Sequence, residues 1–552
     1  MRRAPSKPDL ILRGLVLTID PSSPAAEAVA VSRGRISAVG SWDEIQPLGG
    51  PRSEVIDVGR RTVLPGFQDA HVHPPQAGLD RMRCDLNDLG TREDYLEAIR
   101  AHAAAHPDEP WLLGGGWAMD GFPGGTPDRG LLDAAVPDRP AFLVNRDGHG
   151  AWVNTPALEL AGIDARTPDP PDGRIERDVA GEPSGMLHEG AMDLVERLLP
   201  PVGQEEWQQA ILLAQRHLHG LGITAWQDAW VLPETLAAYA ALAERGELTA
   251  RVVAALWWDR GRGEEQVDDL LELRASGSVG RLRAPAVKVM QDGIVENFTA
   301  GMIEPYLDGH GLPDDGRGQG LSFVDPAAFG PSVTRLDREG FQVHVHAIGD
   351  RAVREALDAF EAARAANGPS PNRHHIAHLQ VVHPDDVPRF AALGVAANLQ
   401  AYWACLDDQM RDLNVPFLGP QRTGQQYPFA SLARSGARLA LGSDWSVTTA
   451  DPLRQIQVAL TRVPFDQPER EPFLPAERLD LPTALRAFTM GSAWVNHLDR
   501  ETGSIEPGKL ADLVVLDRDL TALSPASVGE AQVVLTMVEG EVVRRAPSLS
   551  GW

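Results

Sequence analysis

The stretch VLPGFQDAHVH, residues 63–73, decides the fold prediction. It is a largely apolar run that ends in His71 and His73, two positions apart. Side chains two apart on a β-strand point to the same face, so both imidazoles can meet one metal ion where the strand ends. Imidazole nitrogen is a good zinc ligand. The alternative is a pair of histidines that are hydrogen-bonded within the protein or exposed to solvent, which is the commoner state of any such pair. The surrounding fold therefore has to decide between a metal site and this alternative.

Strand-like and helix-like segments alternate after this stretch. Seven further β-rich runs span residues 221–229, 250–258, 284–293, 341–349, 374–380, 394–400 and 438–444, with helical patterns between most of them. Alternation over this length predicts parallel strands, and eight units predict a closed α/β barrel of the TIM-like (β/α)8 type. A doubly wound open sheet is the alternative, but no G-x-G-x-x-G motif opens a helix after a strand.

The two ends of the chain differ from the middle. Residues 1–64 and 500–552 carry short β-rich runs, and neither end is large enough to bury a good core alone, so we expect one small β-domain built from both termini. The barrel then spans residues 65–499. Residues 75–200 are rich in Gly, Pro and Trp and predict a subdomain inserted after barrel strand 1, over the barrel mouth. Residues 305–320, rich in Pro and Gly, are a candidate lid.

Composition narrows the range of partners. With 51 Lys plus Arg against 77 Asp plus Glu, the net charge is −26, which argues against a nucleic-acid partner. The two cysteines, Cys84 and Cys405, exclude a disulfide scaffold and a Cys-rich zinc module. No apolar run is long enough to span a membrane and no signal peptide is recognisable, so we expect a cytoplasmic protein with no membrane partner. The expected partner is a small-molecule substrate, with a homo-oligomer left open.

Other strand ends carry further candidate metal ligands. FQVHVHAIGD offers His344 and His346, HHIAHLQ offers His378, and LALGSDW offers Asp444. A barrel gathers the carboxyl ends of its strands around one mouth, so these distant residues become neighbours. His346 and His378 sit nearest the ends of their strands and are the expected ligands. His344 lies one layer deeper, which favours a core or supporting role.

Lys288, in the run APAVKVMQDG, is unusual inside a barrel strand. A buried ammonium is costly, and two divalent ions beside it would repel its charge. Three states remain open: a neutral amine, an ammonium displaced to solvent at the barrel rim, or an anion. A carbamate formed with CO₂ would supply two oxygens that bridge two ions.

Together these motifs resemble the amidohydrolase superfamily. The resemblance rests on LPGFQDAHVHP, VKVMQDG, VHAIGD, LGSDW and the tail GSIEPGKLADLVVLD, and it covers essentially the whole chain. The inserted segments GGGW, RDGHGAWVN and GEPSGML resemble one branch, which includes N-substituted formamide deformylase-like (YtcJ-like) proteins.

The resemblance implies a TIM-like barrel that carries one or two divalent metal ions, with zinc expected, and a β-sandwich built from both termini. His71, His73 and Asp444 would hold one ion. His346 and His378 would hold the second, and carbamylated Lys288 would bridge the two ions.

The expected reaction is metal-dependent hydrolysis of a non-peptide C–N bond in an amide, formamide or cyclic amide. A metal ion lowers the pKa of bound water to about 7, and Asp444 would act as general base and then as general acid. Three alternatives remain: a deaminase, an ester or phosphoester hydrolase on the same barrel, and a non-catalytic barrel protein with a structural metal.

Three residues of the inserted segment are candidates for substrate binding. His149 could hydrogen-bond a substrate carbonyl, and Trp117 or Trp152 could stack on an aromatic group. For each tryptophan the core of the subdomain is the favoured alternative. For His149 the binding and structural roles are evenly balanced.

Overall fold

The structure is a computed structural model that describes residues 7–309 and 318–547. Its strands form three sheets and are numbered in chain order. They are β1 Leu10–Leu17, β2 Ala25–Ser32, β3 Arg35–Gly40, β4 Glu54–Pro65, β5 Phe67–Val72, β6 Cys84–Asp85, β7 Leu112–Trp117, β8 Ala141–Asn145, β9 Gly150–Val153, β10 Gly173–Arg177, β11 Pro183–Glu189, β12 Ile223–Val231, β13 Arg251–Trp257, β14 Leu282–Met290, β15 Gln342–Ala347, β16 His375–His378, β17 Ala396–Leu399, β18 Arg438–Leu441, β19 Leu513–Leu516, β20 Val533–Val538 and β21 Glu541–Arg545.

The α-helices lie mostly between the strands of the central sheet. They are α1 Trp42–Ile45, α2 Pro74–Asp80, α3 Arg92–Ala105, α4 Arg129–Ala135, α5 Thr155–Ala161, α6 Asp193–Glu196, α7 Gln204–Gly220, α8 Pro233–Glu244, α9 Gln266–Ser276, α10 Pro326–Arg338, α11 Asp350–Asn367, α12 Val387–Leu393, α13 Val415–Thr423, α14 Phe429–Arg434, α15 Pro452–Thr461, α16 Leu481–Arg486 and α17 Ser492–Val495. Within the described ranges, none of the helices is both apolar and long enough to cross a lipid bilayer.

The central sheet is the predicted barrel. Its eight strands are all parallel and run in the order β5, β12, β13, β14, β15, β16, β17 and β18. The two outer strands meet just beyond their ends, where Asp444 N donates to His71 O at 2.7 Å and His73 N donates to Trp445 O at 3.0 Å. The predicted fold class is therefore confirmed, and the site residues themselves close the ring.

The predicted first strand, residues 63–73, is divided between two sheets. Residues 63–65 end β4 in the sheet formed by the termini, and the barrel strand β5 starts at Phe67. Every residue of β5, β15 and β16 is buried, as expected for parallel strands covered on both faces.

The termini share one seven-stranded sheet in the order β21, β20, β19, β4, β1, β2 and β3. Antiparallel pairing of β19 with β4 joins the C-terminal strands to the N-terminal ones. A single apolar core draws on both ends, including Leu12, Val31, Leu513 and Leu535. The β-sandwich expected from both termini is thus one continuous sheet around its own core.

The inserted subdomain follows β5, as predicted, and has its own six-stranded sheet in the order β10, β11, β9, β8, β7 and β6. Its aromatic core is separate from the barrel core. Of the candidate lid at residues 305–320, residues 310–317 lie outside the described part of the chain.

Candidate active site

Three of the predicted metal ligands meet at the mouth of the barrel. His71 lies on β5, His73 follows it directly, and Asp444 follows β18. Asp444 Oδ1 is 3.2 Å from His71 Nε2 and 3.0 Å from His73 Nε2. The ligand atoms of all three residues lie within 4.8 Å of one another. Strand ends more than 370 positions apart in sequence therefore form one cluster.

Two of the candidate ligands have backbones with positive φ. Asp444 has φ 57° and His378, the last residue of β16, has φ 77°. Such conformations are costly for residues other than glycine and concentrate at functional sites. At Asp444 and His378 these conformations change the direction of the backbone where the strands end, at the mouth of the barrel.

His346 and His378 lie beside this cluster. Their rings are 4.4 Å apart, and the His378 ring is 4.7 Å from that of His71. His378 Nδ1 is 3.8 Å from Asp444 Oδ2. The structure thus brings both proposed second-ion histidines next to the first three residues.

Burial sets the protonation of the cluster. It lowers the pKa of His71 to about 3, with a further contribution from the nearby Lys288, and it holds the pKa of His346 and His378 well below their usual range. Burial works against ionisation of Asp444 as well, but His71 and His73 hold the pKa of its carboxyl well below normal. His71, His346 and His378 therefore offer neutral imidazoles and Asp444 offers a carboxylate, which are the protonation states that bind metals.

His344 supports His71 from below. Its Nε2 is 2.9 Å from His71 Nδ1, so the two rings share a hydrogen bond. That bond leaves His71 Nε2 facing Asp444. The supporting role expected for His344 matches this contact, because a ligand histidine is oriented by the hydrogen bond that its other nitrogen makes.

Lys288 is buried, with 2% of its surface exposed. It lies level with His344 in the register between β14 and β15 and lines the same cavity as the histidines. Burial lowers the pKa of Lys288 to about 8, although Asp444 and Asp228 favour its charged form. This placement excludes the alternative of an ammonium displaced to bulk solvent.

Asp292, four residues after Lys288, accepts hydrogen bonds from backbone groups of neighbouring loops. Its carboxyl accepts hydrogen bonds from the backbone N–H groups of Ile348, Gly349 and Gly301, at 3.0, 2.8 and 2.8 Å. Its acceptor positions are therefore engaged in joining the loops after β14 and β15. His346 Nε2 is correspondingly 3.2 Å from the Gly293 carbonyl in the same loop.

The cluster fits a metal ion on the evidence of its unpartnered atoms. His71 Nε2 and His378 Nδ1 are buried and have no hydrogen-bond partner among the described residues. Two ligands about 2.0–2.1 Å from one tetrahedral ion are separated by about 3.3 Å, close to the 3.0 and 3.2 Å found around Asp444 Oδ1. Nitrogen and carboxylate donors suit zinc and its neighbours in the first transition row.

His149 reaches the mouth from the inserted subdomain. Its ring is 5.4 Å from that of His346, and its Nδ1 is 3.0 Å from both carboxylate oxygens of Glu189. Burial works against a charged imidazole, but Glu189 raises the pKa of His149 above its usual value. His149 thus lines the cavity beside the candidate metal ligands.

Glu189 was missed by the sequence reasoning. It ends β11 with φ 50°, and Thr299 Oγ1 donates to its Oε1 at 2.8 Å. Gly293 leaves the necessary room, because a Cβ there would lie 2.3 Å from Glu189 Oε1. The only signal in the sequence was the segment GEPSGMLHEG, which does not indicate a partner for His149.

Trp117 and Trp152 do not line the cavity, so they are not substrate-binding residues here, and the alternative favoured for each, the core of the subdomain, is the one that the structure has. Both are fully buried in the core of the inserted subdomain, each with its ring 5.4 Å from Phe122. Their indole N–H groups donate to the backbone carbonyls of Leu143 and Asp128 at 2.9 and 3.2 Å. An indole with its N–H satisfied and its faces packed has nothing left to offer a substrate.

Other tryptophans take that place. Trp230 and Trp257 lie at or next to the carboxyl ends of β12 and β13, and Trp403 follows β17 and stacks on His378 with centroids 5.5 Å apart. All three line the cavity. Position at the end of a barrel strand is the signal that could have identified them.

The cavity above the cluster has a volume of about 1200 Å³ and lies between the barrel mouth and the inserted subdomain. Much of its wall is apolar, formed by Leu113, Phe142, Val144, Met192, Trp230, Trp257 and Phe323. Eleven carboxylate residues also line it, against three arginines and Lys288. This wall suits a substrate with an apolar group and disfavours an anionic one.

The barrel, the clustered histidines and the cavity together are the fold and site arrangement found in metal-dependent hydrolases. A solved structure described as an uncharacterized metal-dependent hydrolase from Pyrococcus furiosus matches 94% of this chain and 99% of its own, with a TM-score of 0.69 and 26% identity.

The chain belongs to the amidohydrolase family, whose sequence profile matches residues 54–544. Putative amidohydrolase YtcJ of Bacillus subtilis is 30% identical over 96% of this chain and 98% of its own. N-substituted formamide deformylase of Arthrobacter pascens is 30% identical over 96% of this chain and 97% of its own. The predicted family is thereby confirmed, and the chain is an enzyme of the class that hydrolyses non-peptide C–N bonds.

Proposed function

We propose that this enzyme hydrolyses the C–N bond of a small neutral amide with an apolar substituent, with N-substituted formamides as the first candidates. The observation that carries the proposal is the convergence of His71, His73 and Asp444 within 4.8 Å at the base of a large cavity. A relative named for formamide deformylation, alike over nearly its full length, supports this choice among amides.

In this proposal His71, His73 and Asp444 hold one divalent ion, zinc being the first candidate, and His346 and His378 hold a second. A divalent ion in this position supplies Lewis-acid activation of water and of the substrate carbonyl. His344 keeps His71 in the orientation that this requires.

Lys288 would become the bridge between two ions after reaction with CO₂. Its amine nitrogen adds to the carbon of CO₂ and loses a proton, which replaces a buried cation with a carbamate anion. Burial favours the neutral amine that this step needs, since it lowers the pKa of Lys288 to about 8.

Asp444 would move the proton of the reaction. Its carboxyl is ionised in the resting state, so it can accept a proton from the attacking water at an Oδ atom. It can then deliver that proton to the leaving nitrogen, acting first as general base and then as general acid.

His149 would bind the substrate carbonyl. Glu189 occupies its Nδ1, so Nε2 is the ring atom left for a substrate. Because Glu189 favours the protonated imidazole, His149 would act as a hydrogen-bond donor there.

The acidic cavity separates this proposal from phosphoester hydrolysis. Away from the candidate ligands, the cavity wall carries ten carboxylate residues (the eleven less Asp444) against three arginines and His149, which disfavours the entry of a phosphate group. A neutral amide meets no such barrier.

A substrate screen tests the proposal. Metal-depleted enzyme is reconstituted with zinc and assayed on N-substituted formamides, N-acyl amino acids, hydantoins and carboxylic esters. We expect turnover of formamides that chelation abolishes and zinc restores. Preferred turnover of esters, or amide turnover that survives complete metal removal, would contradict the proposal. Unfolding on chelation would instead indicate a structural metal.

A further inference from the structure

Three metal-binding side chains also meet on the surface of the inserted subdomain, outside the active site. His102 lies in the last turn of α3, His106 is the residue that ends this helix, and Glu109 follows in the next turn. The ligand atoms of these three residues lie within 4.8 Å of one another. Among the described residues, this is the one such group besides His71, His73 and Asp444.

The helix geometry brings the two imidazoles together. Residues four apart lie on the same helix face, and the two rings have centroids 4.2 Å apart, tilted by 32°. Glu109 closes the group, with Oε2 3.6 Å from His102 Nε2. His106 and Glu109 are exposed, so small side-chain rotations can bring the donors to an ion.

The tautomer of His106 is suited to metal binding. Its Nδ1 is 3.0 Å from the backbone carbonyl of His102, so Nδ1–H donates to that oxygen and Nε2 keeps its lone pair. A backbone carbonyl on one ring nitrogen is the usual support for a histidine that binds metal through the other.

An arginine already occupies the end of the helix. Carbonyl groups of the last turn give a helix C-terminus partial negative charge. Arg139 already donates to two carbonyls here, Pro107 O at 3.0 Å and Ala103 O at 3.1 Å. Arg139 therefore already neutralises the helix end without contacting the three side-chain ligand atoms, and the affinity for an ion rests on those side chains.

We propose that His102, His106 and Glu109 bind one transition-metal ion, such as zinc, with water completing the coordination. Two imidazoles and a carboxylate select zinc, copper or nickel over magnesium and calcium. The site is independent of the proposed catalytic function and shares no residue with it.

The ion would fasten the end of α3 to the segment that leads into β7. Glu109 lies three residues before β7 begins at Leu112, and Leu113, Gly114 and Gly116 of that strand line the active-site cavity. Metal binding at the surface would therefore stiffen one wall of the cavity from outside.

Equilibrium dialysis of the full-length protein against zinc chloride, with zinc counted per chain, tests the site. We expect His106→Ala and His102→Ala each to bind one ion fewer than the wild type. The control is His383→Ala, since His383 lies 3.6 Å from Asp385 in a similar surface pair outside any three-residue group. It should keep the wild-type count. An unchanged count in both variants, or an equal loss in the control, would overturn the proposal.

Thermal unfolding gives a second measurement, which also shows whether the variant is folded. Without zinc, His106→Ala should melt at the wild-type temperature, because the side chain is exposed. With zinc added, its rise in Tm should be smaller than that of the wild type, since an ion bound only to the folded state stabilises it. Equal zinc-dependent shifts in the two proteins would refute the site. Because His71→Ala should retain this ion, failure here and failure of the proposed function are distinguishable.

Discussion

The barrel mouth and the core of the inserted subdomain both bury polar aromatic side chains, but in opposite states. At the mouth, His71 Nε2 and His378 Nδ1 are buried and find no hydrogen-bond partner in the part of the chain that the structure describes. In the subdomain core, the indole N–H groups of Trp117 and Trp152 both donate to backbone carbonyls. Buried polar atoms are normally satisfied, so unpartnered nitrogens on clustered candidate metal ligands are atoms that an ion could use.

Asp444→Asn, at the barrel mouth, should have the largest effect on activity. The substitution keeps the shape of the side chain but removes the carboxylate that would accept and return the proton. We expect kcat to fall about 10³-fold, within the range for loss of general acid–base catalysis. Metal content measured on the same samples separates loss of the proton carrier from loss of an ion. A variant with normal metal content and near-normal turnover would show that Asp444 is not the base.

Trp152→Ala tests the core of the inserted subdomain. Truncating a fully buried indole should lower the free energy of unfolding by about 3–5 kcal/mol, measured by urea denaturation. KM for the best substrate should hardly change, since Trp152 does not line the cavity. Trp230→Ala is the matched variant: its indole is partly exposed in the cavity wall, so KM should rise and stability should fall less. A rise in KM with Trp152→Ala alone would reverse the assignment.

The barrel and the convergence of the candidate ligands could be predicted, because both follow from topology. Eight strand-like runs alternating with helices allow few folds, and a barrel necessarily brings His71, His346, His378 and Asp444 to one mouth. The end of β4 was assigned to the barrel because an apolar run does not show where one sheet gives way to another.

The insertion could not be predicted in the same way. Its loops follow no repeating geometry, so nothing in the sequence places Glu189 beside His149, and for Trp117 the sequence favours a core without showing which side chains form it. These contacts depend on the packing of two sheets against each other. By contrast, Trp230 and Trp257 stand at strand ends, and the rule that identified His378 applies to them as well.

Lys288 lines the same cavity as the unpartnered histidines at the barrel mouth. The charge of its amine can be tested in metal-free protein. Its pKa is about 8 in the folded state and 10.5 ordinarily, so the unfolded chain binds more protons between these values. Stability should therefore rise with pH across this window, and the penalty should be complete below pH 8. Lys288→Met removes it, so we expect the variant to be more stable at pH 7 by about 3 kcal/mol, at about 1.4 kcal/mol per pKa unit. This advantage should vanish near pH 10.5. Parallel stability curves from urea titrations at pH 7 to 10.5 would contradict a buried ammonium.

Glu189→Gln tests the contact between the two regions. The His149–Glu189 pair carries a polar group from the insertion to the barrel mouth. Glutamine keeps the size of the side chain and can still contact Thr299, but it no longer favours a protonated His149. We expect kcat to fall about 10- to 100-fold with little change in KM, since the bond to the substrate carbonyl should strengthen as charge develops on the oxygen. The alkaline limb of the rate profile should move to lower pH, because the pKa of His149 falls when the neighbouring carboxylate is removed. Glu182→Gln, at an exposed position just before the same strand, should leave both the rate and its pH profile unchanged. If Glu189→Gln lowered stability but left the pH profile intact, the pair would hold the insertion in place without taking part in the reaction.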